Sequence, residues 1–146
     1  MTSSPETGPA QPILLDTCAA IWLMGGDPLS ATAQSALLNA RSSGAGIYVS
    51  LFTAWEVGML IAKGRFQVAL TPEGWFNALI VLPGVRVAPL TVPILMNSNA
   101  LPGIPPNDPA DRIIAATGRA FGYPILTRDR LLIDYADQGH INTIVC

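Results

Sequence analysis

Four of the ten acidic residues in this 146-residue chain stand where an acid is hard to explain by solubility alone. Asp16 follows the apolar run Ile13-Leu14-Leu15, Glu56 is the only acid in LFTAWEVGMLIAK, Asp111 lies inside NDPADR, and Asp129 follows ILTR. Three of them have a structural alternative. Asp16 and Asp129 can each cap a helix, a role worth about 1 kcal/mol, and Asp111, three residues after Asp108, can be the acid of a capping box. Glu56 has no helix end to serve. A carboxylate inside so apolar a helix must be paired, neutralised, metal-bound or at the rim of a cleft, and an arginine partner is the plain alternative.

Brought together, such acids repel one another, and without a cation at least one should hold its proton. A divalent ion reverses that logic and makes the cluster a binding site. Oxygen ligands with no His or Cys in the pattern favour Mg²⁺ or Mn²⁺ over Zn²⁺. Metal held this way can activate water and polarise a phosphate oxygen. Arg112, Arg128 and Arg130 flank two of the acids. They can hold a phosphate backbone by salt-sensitive contacts, or be surface residues paired with Asp108 and Asp134. Trp22, Trp55 and Trp75 can stack on bases, although at helical spacing in apolar runs they read more readily as core or interface.

Other chemistries are excluded. His140 is the only histidine and sits in the turn-like Asp137-Gln138-Gly139, so neither a His-based ribonuclease nor a catalytic triad fits. No G-x-S-x-G elbow, Walker A loop or G-x-G-x-x-G occurs. The only lysine, Lys63, follows a helix, where a receiver domain would want one after a strand, and Asp16-Thr17-Cys18 lacks the second aspartate of an aspartate-nucleophile phosphatase. Cys18 and Cys146 make no metal-ligand pair or disulfide framework and read as a buried thiol and a C-terminal thiol in a reducing compartment. Net charge is −2, with a pI near 5.1, so the strong basic footprint of many nucleic-acid binders is missing.

The elements that must position these acids alternate. Strands are expected at Ile13 to Leu15, Ile47 to Val49, Val85 to Val87, Pro124 to Thr127 and Ile141 to Val145. Helices are expected from Cys18 to Met24, from Ser30 towards Arg41, from Ser50 through Lys63, from Thr71-Pro72-Glu73 to Pro83-Gly84, after Thr91, from Asp108-Pro109 to Phe121, and from Asp129. The Ser50–Lys63 helix is apolar nearly all round and should be buried or covered on most sides. Strand–helix alternation predicts an α/β, three-layer α/β/α domain with a mostly parallel sheet of about five strands, in one domain over residues 13–146 behind a disordered tail, 1–12. Ligands of such sheets bind at the strand C-terminal edge. Asp16 and Asp129 fall there, Asp111 joins them if the proline-rich Leu101–Pro106 loop returns its helix to that edge, and Glu56 can lean towards it. Half of the chain is apolar, which hints at a surface covered by a partner or second copy. No signal sequence and no apolar stretch near the ~20 residues of a membrane span is present, so a cytoplasmic location is the default.

Together, LLDTCAAIW, VSLFTAWEVGML with Lys63-Gly64-Arg65, NDPADRIIAATG and ILTRDRLL resemble the PIN domain, and within it the VapC-type toxins of toxin–antitoxin pairs. The resemblance covers about Ile13 to Val145. It implies a PIN-like fold and places that family's four acids on Asp16, Glu56, Asp111 and Asp129 as catalytic and metal-binding residues. It further implies endoribonuclease activity on RNA with Mg²⁺ or Mn²⁺, a homodimer, and inhibition by a cognate antitoxin laid over the apolar helices and the cleft. Two other readings stay open. One is a catalytically silent binding subunit whose acids only cap helices. The other is a metal-dependent phosphatase of small molecules.

Overall fold

The computed structural model describes residues 10–146, so most of the expected tail lies outside the described residues, and 10–12 carry no regular structure. The elements run β1 (Ile13–Leu15), α1 (Thr17–Gly25), α2 (Ala31–Ser43), β2 (Ile47–Ser50), α3 (Leu51–Ala62), α4 (Pro72–Ile80), β3 (Val85–Ala88), α5 (Val92–Ser98), α6 (Pro109–Phe121), β4 (Ile125–Thr127), α7 (Arg130–Asp137) and β5 (Thr143–Val145). The strands form one sheet in the order β3-β2-β1-β4-β5, every pair parallel. A parallel sheet needs helical crossovers, and these supply the two outer layers.

Strand alternation sorts the core. Ile13 and Leu15 point to one face with Ile47, Val49 and Leu126, where they meet Ala19, Ala33, Leu37, Val57, Trp75 and Leu79 from α1 to α4. Leu14 points to the other face with Ile125 and Ala88, under Ile114 and Ala115 of α6 and Leu132 and Tyr135 of α7. Helix ends fall where the caps allow. Ser30, Ser50, Thr71, Thr91, Asp108 and Asp129 each accept from a backbone N–H of the following first turn.

Three expectations need correction. The last strand begins at Thr143 rather than Ile141: Ile141 turns into the second core and Asn142 already accepts from the Ile125 N–H. Helix α3 is not covered on most sides. Only Thr53 and Val57 are buried, while Leu51 and Trp55 lie open, because the crossover from β2 packs inward through one stripe and, among the described residues, no other element lies over its outer side. The two thiols exchange places: Cys18 is exposed and Cys146 is buried against the first core. No helix among the described residues is long and apolar enough to cross a membrane.

Candidate active site

The β1 strand delivers Asp16 to the sheet's C-terminal edge, and the turn into α1 fixes its side chain. Oδ1 accepts from the Ala19 N–H at 2.6 Å, as an N-cap does, while Oδ2 accepts from the Thr127 hydroxyl. Thr127 ends the adjacent strand β4, and its Oγ1 also accepts from the Asp129 N–H at 2.9 Å. One hydroxyl thus ties the first acid to the backbone of the fourth. Asp129 caps α7 through the Leu131 N–H at 2.8 Å. Both capping alternatives are therefore realised, and they place the two carboxylates side by side.

Glu56, two turns into α3, has a hydroxyl rather than an arginine as its partner. Thr17 donates to Oε1 at 2.5 Å and sits 3.1 Å from the Thr53 hydroxyl. Asp111, in the first turn of α6, accepts no hydrogen bond among the described residues, so it is not the acid of a capping box; Asp108 caps that helix. The preceding loop does return α6 to the acids' edge. It is pinned on α7, where Tyr135 donates to the Pro102 carbonyl at 2.6 Å and Gln138 exchanges two 2.9 Å bonds with Ile104.

The electrostatics follow from that convergence. Burial pushes the Asp16 carboxyl above its ordinary range against the Thr127 and Ala19 bonds, and the Asp129 charge adds to it. Burial also raises Glu56, opposed by the Thr17 bond and helped by the charges of Asp108 and Asp16. Asp111 is pushed up to about 7, by burial first and then by Asp129, Asp108, Glu56 and Asp16. The Cys18 thiol, on a residue that keeps one side exposed, is raised to about 11 by partial desolvation and then by the charges of Asp16, Glu56, Asp129 and Asp111. Asp16, Glu56, Asp111 and Asp129 therefore share one field. None has an arginine: the only ion pair among the described residues is Arg130–Asp134 at 3.2 Å.

As the side chains stand, no group of three or more His, Cys, Asp or Glu among the described residues closes around one point as a finished metal cage. The arrangement is a set of oxygen donors along one sheet edge in which negative charge is poorly compensated. Such a site suits a small hard cation that keeps several waters.

The flanking arginines divide. Arg130 is tied to Asp134 within α7, as the surface alternative had it. Arg112 reaches the Ser98 carbonyl at the C-terminus of α5, at 3.4 Å, not Asp108. Arg128 lies over the Trp22 ring at 4.1 Å and donates to the Pro28 carbonyl at 2.8 Å. Of the tryptophans, Trp75 is core, Trp22 is half-buried under Arg128, and Trp55 is 61 % exposed and stacked on Phe52. Sequence reasoning assigned no role to Thr17, Thr53 and Thr127, the hydroxyls that orient the acids. Their signal was present in the adjacent Asp16-Thr17 and in the T-x-D spacing of Thr127 and Asp129.

An all-parallel five-stranded sheet carrying four acids on its C-terminal edge defines the class of this protein. Residues 13–138 match the PIN domain family, and the chain belongs to that family. It is 32% identical over 122 residues, 82% of this chain and 88% of that protein, to Ribonuclease VapC22 of Mycobacterium tuberculosis. Its fold is that of VapBC2 from Rickettsia felis bound to a promoter DNA fragment, at TM-score 0.64 and 12% identity, and of DNA-bound VapBC from Salmonella typhimurium, at 0.63 and 17%. Each match covers 92% of this chain and 98% of the other.

Proposed function

We propose that this chain is a divalent-metal-dependent endoribonuclease, the toxin of a toxin–antitoxin pair, with Asp16, Glu56, Asp111 and Asp129 as its catalytic and metal-binding residues. The observation that carries the reading is one edge of the sheet on which burial, and then neighbouring acids, raise the proton affinity of Asp16, Glu56 and Asp111 with no arginine to offset them. The ribonuclease name of the relative at 32% identity supports the substrate.

The acids would hold Mg²⁺ or Mn²⁺, which supplies an activated water and a polarised phosphate oxygen. Thr127 and the Ala19 N–H hold both oxygens of Asp16 in fixed directions, and Thr17 aims Glu56. Asp111, raised to about 7 in the metal-free chain, would give up its proton when the cation binds and hold the ion as a carboxylate. Arg128, held by Trp22 and Pro28 without a carboxylate, is the flanking arginine best placed to meet a phosphate; Arg112 and Arg130 would add weaker contacts.

The antitoxin would lie over the open apolar side of α3, at Leu51 and Trp55. The solved VapBC assemblies of other organisms support a partner of that kind. Homodimer formation belongs to the same reading: the exposed Val92 and Met96 of α5 offer a second copy an apolar surface. A cytoplasmic site of action goes with it.

The test is Asp16→Asn. It should abolish cleavage of purified RNA in Mg²⁺ or Mn²⁺ while the protein keeps its melting transition. An equally active variant would overturn the assignment. The silent binding subunit is favoured by the caps that Asp16 and Asp129 do make, and a melt separates the two readings. Metal at about 100 times its dissociation constant should add roughly 2.7 kcal/mol, whereas the silent subunit should show no shift.

A further inference from the structure

On the α6 face of the sheet, towards the N-terminal ends of its strands, Arg86, Tyr48, Leu14 and Ile125 stand in register across β3, β2, β1 and β4. Helix α6 covers the Leu14 and Ile125 end of that row, where Gly118 lets it close on Ile125. The Tyr48 and Arg86 end is left half-buried and exposed. Three rings lie over it as a ladder. Tyr48 stacks on Tyr123 at 4.6 Å with planes 26° apart, and Tyr123 stacks on Phe121 at 5.4 Å and 23°. Phe121 is exposed, so the ladder is open at that end.

Cations are fixed beside the other end. Arg86 donates to the Gly44 carbonyl at 3.1 Å and lies beside the Tyr48 hydroxyl, and Arg41 donates to the Pro83 carbonyl at 3.0 Å. Arg86 packs its far end against Gly46, and Arg41 packs the base of its side chain against Gly84. A Cβ at Gly46, whose φ is +98°, would come within 3.0 Å of the Tyr48 ring and 3.3 Å of Arg86, and one at Gly84 within 3.1 Å of Arg41. Neither arginine is in an ion pair among the described residues, and the cation that acts on both tyrosines is Arg86, with no carboxylate beside it.

We infer that Tyr48, Tyr123 and Phe121, with Arg86 and Arg41, form a second foothold for single-stranded RNA, outside the cleavage cleft. Bases would continue the ring stack, and the guanidinium groups would meet the phosphates. This rests on RNA being the substrate, and it answers a difficulty of that reading. In a chain of net charge −2 with four of its ten acids gathered at one edge, a polyanion gains from cations held away from them. An acidic peptide would need the arginines but not three rings in parallel stack.

The experiment is fluorescence anisotropy of a short labelled single-stranded RNA on the full chain in EDTA, so that binding is read without cleavage. Tyr123→Leu should weaken binding roughly five- to hundredfold, the loss of one base stack, while Tyr123→Phe should bind as the wild type does. Arg86→Gln should lower the salt slope of binding by about one. If Tyr123→Leu does not fold, the exposed Arg86→Gln decides alone. Wild-type affinity in both Tyr123→Leu and Arg86→Gln, or equal affinity of the wild type for a duplex, overturns the foothold and leaves the proposed nuclease standing. A wild type that neither binds nor cleaves RNA overturns both.

Discussion

At the scale of single residues, the carboxylates are held by hydroxyls and backbone N–H groups, and this sets different outcomes for similar substitutions. Asp16→Asn keeps an oxygen for the Ala19 N–H and removes a buried charge, so the metal-free protein should be as stable as wild type or slightly more so. Asp16→Ala loses the cap and strands the Thr127 hydroxyl, at a cost of about 1–3 kcal/mol. Urea melts of the two proteins in EDTA check this, and equal losses would refute it. Thr127→Val preserves shape but removes the donor to Asp16 and the acceptor for the Asp129 N–H. It should destabilise the fold by about 1–3 kcal/mol and weaken Mn²⁺ binding roughly 10- to 100-fold, as loss of an orienting partner does. Calorimetric titration with Mn²⁺ reads the second effect; unchanged affinity would mean that Thr127 is structural only.

At the scale of elements, α6 and α3 show the two ways in which a helix meets its surroundings here. Helix α6 packs closely: a Cβ on Gly118 would stand 3.0 Å from Ile125 Cδ1 and 3.1 Å from the Tyr123 carbonyl. Gly118→Ala gains helix propensity but overfills that contact, and the close packing should win. A net loss of about 1–3 kcal/mol is expected in denaturant melts, and a more stable variant would show that the contact has slack. Helix α3 is the reverse, with Trp55 touching little beyond Phe52. Trp55→Ser should therefore change stability by no more than about 1 kcal/mol. The same change should cut binding of the proposed antitoxin at least tenfold in a titration, as losing an aromatic anchor does. Undiminished binding would move the partner surface elsewhere.

At the scale of the whole molecule, four acids meet at one edge of the sheet, while Arg41 and Arg86 lie away from them. The acid edge makes stability depend on pH in a stated direction. Asp111 takes up its proton near pH 7 in the folded protein and near 3.8 when unfolded. Between those values the folded state binds more proton, so stability falls as pH rises through that window and is lowest above about 7. Asp16 and Glu56, also raised, act in the same sense. The metal-free protein should thus melt higher at pH 5.5 than at pH 7.5, conditions chosen to fall inside and just above that roughly 4-to-7 window. Mn²⁺ should raise the melt more at the higher pH, where all the carboxylates are ionised. Scanning calorimetry in EDTA and in Mn²⁺ checks both; a metal-free melt that falls on acidification over this interval would contradict the shared field.

Local signals were enough to read the strand–helix alternation, the caps at Ser30, Ser50 and Asp108, and the PIN domain family, because each depends on residues a few positions apart. They also singled out the acid cluster, since a carboxylate after a buried strand or inside an apolar helix is costly wherever it lies. Other features depended on contacts between distant segments. The partner of Glu56 is Thr17, 39 residues away, and that of Asp16 is Thr127, 111 away. The open side of α3 and the burial of Cys146 follow from which elements the sheet order makes neighbours. The ladder of Tyr48, Tyr123 and Phe121 likewise arises only once β2 and the end of α6 are placed over the same row of the sheet. Composition states which groups must find a partner or a cation; only the packed chain decides which one they find.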